Sequence, residues 1–270
     1  MTLVLESAKG GLGNQLFSVA SGYGLSKKYH KMFKITNHTG DHDWLYNGFD
    51  MVDIKHINNK NYKRITEQGN KFCMVDQNIT EQIELNTNIM IKGYLQCEQY
   101  FAEYKEDILK IFEIPENTVQ SVRRTYPKFV SDSYFLHVRL GDYINSTIHF
   151  VNLSKYYETI LEKIVHENPI IYLISNGTTE QIYKTYPVLE KYDKNLTILN
   201  SMKHTALVDL YIMSQCKLGC ICANSTFSWW GAYLNQGPTK RVFMPSKWIN
   251  MTLHDNTCNI YTKDVEIIDV

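Results

Sequence analysis

Charge of neither sign is in excess here: 28 lysines and arginines balance 28 aspartates and glutamates. A chain that mainly grips nucleic-acid backbone carries a basic surplus, so that class is disfavoured. No apolar run approaches the ~20 residues needed to cross a bilayer. The opening MTLVLESAKGGLGNQ has no basic n-region and no apolar h-region of useful length. It therefore predicts no secretory signal, and the sequence reads as cytoplasmic with no membrane span. The six cysteines, at 73, 97, 216, 220, 222 and 258, include no CxxC pair. A zinc ribbon or dithiol redox centre is thus not indicated. Cys216, Cys220 and Cys222 straddle an apolar stretch and read as buried small hydrophobes. Internal repeats and low-complexity linkers are missing as well. What is present is a chain of 270 residues with 44% apolar and 21% charged composition. That suffices for one large or two medium domains with a sizeable core.

The pattern alternates short apolar strands with helices. Strands are predicted at 2–8, 32–35, 89–95, 134–138, 170–174, 196–199, 218–223 and, last, 241–244. Helices are predicted at 15–29, 98–112, 154–166, 180–186, 204–216 and 227–234. The 98–112 helix would carry Tyr100, Phe101, Tyr104, Ile108 and Phe112 on one stripe. Residues 37–48 are polar and turn-rich, and 55–85 show no clear period. Strands alternating with helices argue an α/β fold with a parallel, doubly wound sheet. Such sheets bind ligands beyond the carboxyl ends of their strands. Three motifs follow strands.

The first is Gly10-Gly11-Leu12-Gly13-Asn14-Gln15. Glycines let a backbone approach a ligand, and a helix N-terminus offers free N–H groups to an anion. A purely structural tight turn explains the same residues. The second is the run from His137 to Tyr143, HVRLGDY. His137 and Arg139 alternate at a strand end and so share a face. The planar fork of a buried arginine suits a diphosphate. A structural Arg139–Asp142 pair closing the turn is the alternative. The third joins Asp209 to Asn224-Ser225-Thr226 ahead of Phe227-Ser228-Trp229-Trp230. Serine and threonine cap helices and, at a helix start, also hold phosphate. Asp209 interrupts an apolar helix, where a lone carboxylate needs a partner. The N1–H and N2 amino donors of guanine would match its two oxygens; a solvent-facing aspartate is the alternative. Asp41-His42-Asp43 has the D-x-D form of some metal sites. Two acids at this spacing are common, and no metal is expected there.

Together these motifs resemble the α-1,2-fucosyltransferases, glycosyltransferase family 11, over most of the chain. GGLGNQLF (10–17), GYLQCEQYF (93–101), HVRLGDY (137–143) and DLYIMSQCKLGCICANSTFSWWGAYLN (209–235) carry the resemblance in order. It implies a fold of the glycosyltransferase B type, with two Rossmann-like domains facing a cleft. The N-terminal, acceptor-side domain would take residues 1–128 and the GDP-sugar-binding domain 129–270, the last segment packing back on the first domain. It implies GDP-β-L-fucose as co-substrate, a glycan acceptor, inversion at the anomeric carbon, and neither metal nor other cofactor. By position, Arg139 would bind diphosphate with His137 beside it, and Asp209 would read guanine. Asn224, Ser225 and Thr226 would hold the donor at the helix start, and Gly11, Gly13 and Asn14 would shape the cleft. Asp142 and Asn14 join Arg139 as candidates for the catalytic set. Two departures stand out. Leu140 replaces the second arginine of the family motif, and Asn176-Gly177 replaces two acids. Inversion also calls for a base near the acceptor hydroxyl. Asp142, Asp41, Asp43 and His42 are candidates on chemistry alone.

Overall fold

The computed structural model describes residues 1–6, 8–36, 49, 54–55, 61–68, 74–199, 205–250 and 260–270. Chain contacts divide into two units. One is Met1–Pro115 with Thr257–Thr262, and the other is Glu116–Asn256 with Lys263–Val270.

The first unit opens with β1 (Thr2–Leu5), α1 (Leu12–Lys28), β2 (Met32–Thr36) and β3 (Ile54–Lys55). β4 (Lys63–Thr66), α2 (Gln77–Leu85), β5 (Asn88–Lys92) and α3 (Lys105–Ile111) follow. The sheet runs β3-β2-β1-β5-β4, and every pairing is parallel. Leu3, Val4 and Leu5 of β1 and Ile89, Met90 and Ile91 of β5 are fully buried. Such unbroken apolar runs mark central strands covered on both faces. Because all strands point one way, the loops after β1, β4 and β5 emerge at one edge.

Two sequence expectations change here. α1 begins at Leu12 rather than 15, so Gly13 and Asn14 lie in its first turn. The Asn14 and Gln15 N–H groups close that turn onto the Gly11 carbonyl at 3.0 and 3.1 Å. The single helix expected over 98–112 is instead two 3-10 turns, Glu98–Tyr100 and Ala102–Tyr104, followed by α3. Tyr100 and Phe101 are drawn inward. The Tyr100 hydroxyl accepts the Asp76 N–H at 2.6 Å, and the Phe101 ring meets Phe17 edge-on.

The second unit holds α4 (Glu116–Thr125), β6 (Ser133–Val138), α5 (Ser154–Ile164), β7 (Ile170–Ser175), α6 (Thr179–Thr185) and β8 (Leu196–Leu199). α7 (Ala206–Gln215), β9 (Gly219–Ile221), α8 (Thr226–Leu234), β10 (Arg241–Pro245) and β11 (Val265–Ile268) complete it. Its sheet runs β11-β10-β9-β6-β7-β8, again all parallel. From β6 the chain steps outward through β7 to β8. It then returns to β9, beside β6, and steps the other way. The reversal between β6 and β9 is the topological switch point of a doubly wound sheet. α4 packs against α7 and belongs to this unit, so the division falls after Pro115 and not at residue 128. β10 is not the last strand, because β11 pairs with it in the register Val242↔Val265. Among the described residues, no helix is long and apolar enough to cross a membrane.

Candidate active site

The switch point is lined by two of the three motifs. β6 is buried along its whole length and delivers His137 near its end. The His137 ring is 3% exposed and lies 5.8 Å from Phe227 of α8, bringing the two strand ends together. Its carbonyl accepts the Tyr157 hydroxyl at 2.8 Å, while its Nδ1 has no hydrogen-bond partner among the described residues. Burial, and secondarily the Arg139 charge, pushes the His137 pKa down to about 3. The imidazole is therefore neutral at ordinary pH.

Arg139 emerges two residues later with its side chain 30% exposed. Nη2 lies 2.5 Å from Oδ1 of Asp142, whose side chain is 69% exposed. The ion pair left open by the sequence is therefore present. In so much water it is worth about 0–1 kcal/mol, too little to explain the arginine by stability alone. The guanidinium carbon also sits 5.2 Å over the Tyr143 ring, which stacks on His149. Among the described residues only Nη2 has a hydrogen-bond partner. The remaining N–H groups of the five-donor fork stay available to an anion.

The turn that aims Arg139 is held from the next strand. The Leu140 N–H donates to Oδ1 of Asn176 at 2.8 Å. Gly141 has φ +58°, and a Cβ there would lie 2.5 Å from Nδ2 of the same asparagine. Leu140 is 1% exposed and packs on Gly177. A leucine in place of a second arginine is thus a core residue here. Sequence reasoning noted Asn176 only as a departure; its grip on the motif 36 residues earlier leaves no local signal.

After β9 the three polar residues divide their work. Asn224, 4% exposed, donates both Nδ2 hydrogens, to the His149 and Trp248 carbonyls, each at 2.9 Å. Its amide hydrogens therefore brace two loops at the start of α8. Ser225 is the N-cap of α8 and accepts the Phe227 N–H at 3.3 Å; Thr226 opens the helix. Trp229 and Trp230 are buried 5.1 Å apart and anchor α8 in the core. Asp209 lies in the first turn of α7, at the carboxyl end of the sheet, and is 8% exposed. The solvent-facing alternative is therefore excluded. Its charge reaches Tyr126, where it adds to burial in raising the phenol pKa.

In the first unit, the glycine-rich loop and the 93–101 segment form one piece. Gly10 adopts φ +79°, so the turn itself calls for glycine. Gly11 caps α1, and a Cβ there would meet nothing within 4 Å. The Gln96 side-chain amide donates to Oδ1 of Asn14 at 2.8 Å. The Ser18 hydroxyl donates toward the Gly93 carbonyl at 3.1 Å. Asp41, His42 and Asp43 lie outside the described residues. Among those described, no group of three His, Cys, Asp or Glu side chains could hold a metal.

The profile described as glycosyl transferase family 11 matches residues 52–264. The chain belongs to glycosyl transferase family 11. The match takes in HVRLGDY and the 209–235 block, the two motifs at the carboxyl edge of the second sheet. An α-1,2-colitosyltransferase from Escherichia coli is 26% identical over 272 aligned residues, covering 92% of this chain and 93% of its own. Among solved structures, POFUT1 in complex with GDP-fucose matches with a TM-score of 0.54 at 11% identity, covering 89% of this family 11 chain and 97% of POFUT1. The fucosyltransferase NodZ from Bradyrhizobium matches with a TM-score of 0.52 at 13% identity, covering 85% and 92%. At such identities the likeness carries the fold, which is that of the glycosyltransferase B fucosyltransferases.

Proposed function

We propose that this family 11 glycosyltransferase moves L-fucose from GDP-β-L-fucose to a galactose-type hydroxyl of a glycan, in α-1,2 linkage and with inversion. The observation that carries the reading is the gathering of Arg139, neutral His137 and the start of α8 at the β6/β9 switch point. Negative charge develops on the departing GDP, while the sugar passes through an oxocarbenium-like state. Fixed donors aimed at that charge are the largest expected catalytic contribution. Arg139 supplies a planar fork and α8 supplies the positive end of its dipole. Asp209, buried near the carboxyl edge of the same sheet, serves as the guanine reader. Residues 1–115 serve as the acceptor side, with Gly11, Gly13 and Asn14 at the carboxyl edge of their sheet.

A second reading draws on the α-1,2-colitosyltransferase relative. Colitose is L-fucose without its 3-hydroxyl, so a GDP-colitose donor would use the same diphosphate and base contacts. Competition between GDP-fucose and GDP-colitose over an array of galactose-terminated acceptors tests both. NMR assignment of the product linkage completes the test. Product linked α-1,2 with fucose supports the first reading. A strong preference for GDP-colitose moves the assignment to the second. Tight GDP binding with no transfer to any acceptor would instead leave a non-catalytic sugar-nucleotide binder.

A further inference from the structure

Glu67 follows the last residue of β4, at the carboxyl edge of the first sheet. Its own N–H extends the ladder to the Lys92 carbonyl at 2.8 Å. Its side chain turns back over the loop after β5, where Oε2 accepts the Tyr94 N–H at 2.8 Å and the Leu95 N–H at 3.1 Å. A Cβ on Gly93 would lie 2.5 Å from the Glu67 Cβ, so glycine there makes room for the carboxylate. Oε1 has no hydrogen-bond partner among the described residues. One oxygen is thus fixed by two donors and the other keeps its lone pairs unpartnered among the described residues. Beside it the Tyr94 ring is 44% exposed and reaches over Gly10, its Cε1 lying 3.4 Å from where a Cβ would stand. The Asn14–Gln96 amide pair adjoins the same turn. An unpartnered carboxylate oxygen, an exposed aromatic face and side-chain amides are the groups with which proteins grip a sugar.

We propose that Glu67 is the base of the transfer, its Oε1 taking the proton of the attacking acceptor hydroxyl. The proposal rests on the glycosyltransferase reading above. In the step, the acceptor oxygen bonds to the anomeric carbon while the bond from that carbon to the β-phosphate oxygen breaks. GDP leaves with that electron pair, and the hydroxyl proton passes to Glu67. Two N–H donors on Oε2 fix the carboxylate plane, so Oε1 needs no reorientation before it acts. Burial raises the Glu67 pKa, with the Asp76 carboxylate adding to the rise and the two N–H bonds opposing it. A raised pKa makes a stronger base. Asp142 is the weaker candidate, because it is already paired with Arg139.

The test uses Glu67→Gln and Glu67→Asp in the full chain, with GDP-fucose and a galactose-terminated acceptor that the wild type uses. A base and a purely structural pin predict opposite rankings. Glutamine is isosteric and can still accept both N–H groups, but it takes no proton. Aspartate keeps the base but is too short to hold both donors. We expect Glu67→Gln to lose ~10²-fold or more in kcat, with GDP affinity and acceptor KM within about threefold of wild type. Glu67→Asp should retain more activity than Glu67→Gln. A Gln variant equal to or above the Asp variant in kcat overturns the role, as does loss of GDP binding or melting temperature by the Gln variant. Absence of transfer by the wild type itself sinks the transferase reading and the proposal with it.

Discussion

The Leu140 N–H donates to the Asn176 side-chain oxygen at 2.8 Å, so the loop after β6 is set by the loop after β7. This bond fixes the turn from which Arg139 projects. Asn176→Ala removes the acceptor of a buried donor, at a cost of about 1–3 kcal/mol. The melting temperature should fall and GDP affinity should fall with it, because the Arg139 turn loosens. Asn176→Asp keeps an acceptor and should recover most of the melting temperature. Calorimetry and GDP titration on both variants check this. An Ala variant with wild-type values for both would show that the turn holds itself.

His137 gives a pH dependence whose sign follows from its environment. Burial holds its folded-state pKa down to about 3, while an unfolded histidine titrates near 6.5. Between those values the unfolded chain binds the extra proton. Stability from this group is therefore complete above the unfolded pKa and is lost as pH falls toward about 3. The slope approaches ~1.4 kcal/mol per pH unit. Urea unfolding between pH 7 and 4 should show a steeper decline for wild type than for His137→Gln. Parallel declines would mean the imidazole is protonated in place.

Much of this architecture is legible in the sequence, because parallel strands buried on both faces print as short apolar runs. β6, β7 and β8 are such runs, and their order with the intervening helices already argues a doubly wound sheet. α4 and β11 escape for the opposite reason. α4 buries only Val119 and Val122, and β11 is a half-exposed edge strand, so neither prints a clear period. Arg139, Ser225 and Asp209 could be named because each interrupts or ends an apolar pattern. Asn176 and Glu67 could not. What they do depends on backbone N–H groups 36 and 27 residues away, which no local spacing encodes.

Asp209 should decide between nucleotides. It is buried in the first turn of α7, where a carboxylate is favoured by the helix dipole but disfavoured by desolvation. If it pairs with guanine, losing that hydrogen-bonded charge costs roughly 1.5–3 kcal/mol of binding. Asp209→Ala should therefore weaken GDP by about tenfold or more and leave UDP nearly unchanged. Titration of both nucleotides against wild type and variant reads this out. Equal affinity of the wild type for GDP and UDP would remove the basis for the assignment.

Activity should survive chelation. A guanidinium fork and a helix N-terminus together can neutralise a leaving diphosphate without a cation. Turnover in excess EDTA should match turnover in added Mg²⁺ or Mn²⁺. Loss in chelator with recovery on adding either ion would bring Asp41 and Asp43 forward as ligands.

Arg139 carries the sharpest expectation, because its two possible roles predict opposite balances of activity and stability. Its contact with Asp142 is short, but the partner is mostly in water, so the pair adds little to folding. Leu140 is buried and offers no neighbouring cation to take over. If the free side of the fork clamps the departing diphosphate, the contact strengthens as charge moves onto that group. Arg139→Lys keeps the charge but loses the planar, bidentate geometry. It should lower kcat by ~10²-fold or more, by analogy with removal of one preorganised donor. Arg139→Ala should be worse still, while the melting temperature of the ligand-free protein moves by only a few degrees, as expected for a surface pair of about 1 kcal/mol or less. Were the arginine there only to satisfy Asp142, the Ala variant would melt earlier, and its folded fraction would turn over near the wild-type rate. Measuring kcat and melting temperature on the same two variants separates the roles, because no single outcome fits both.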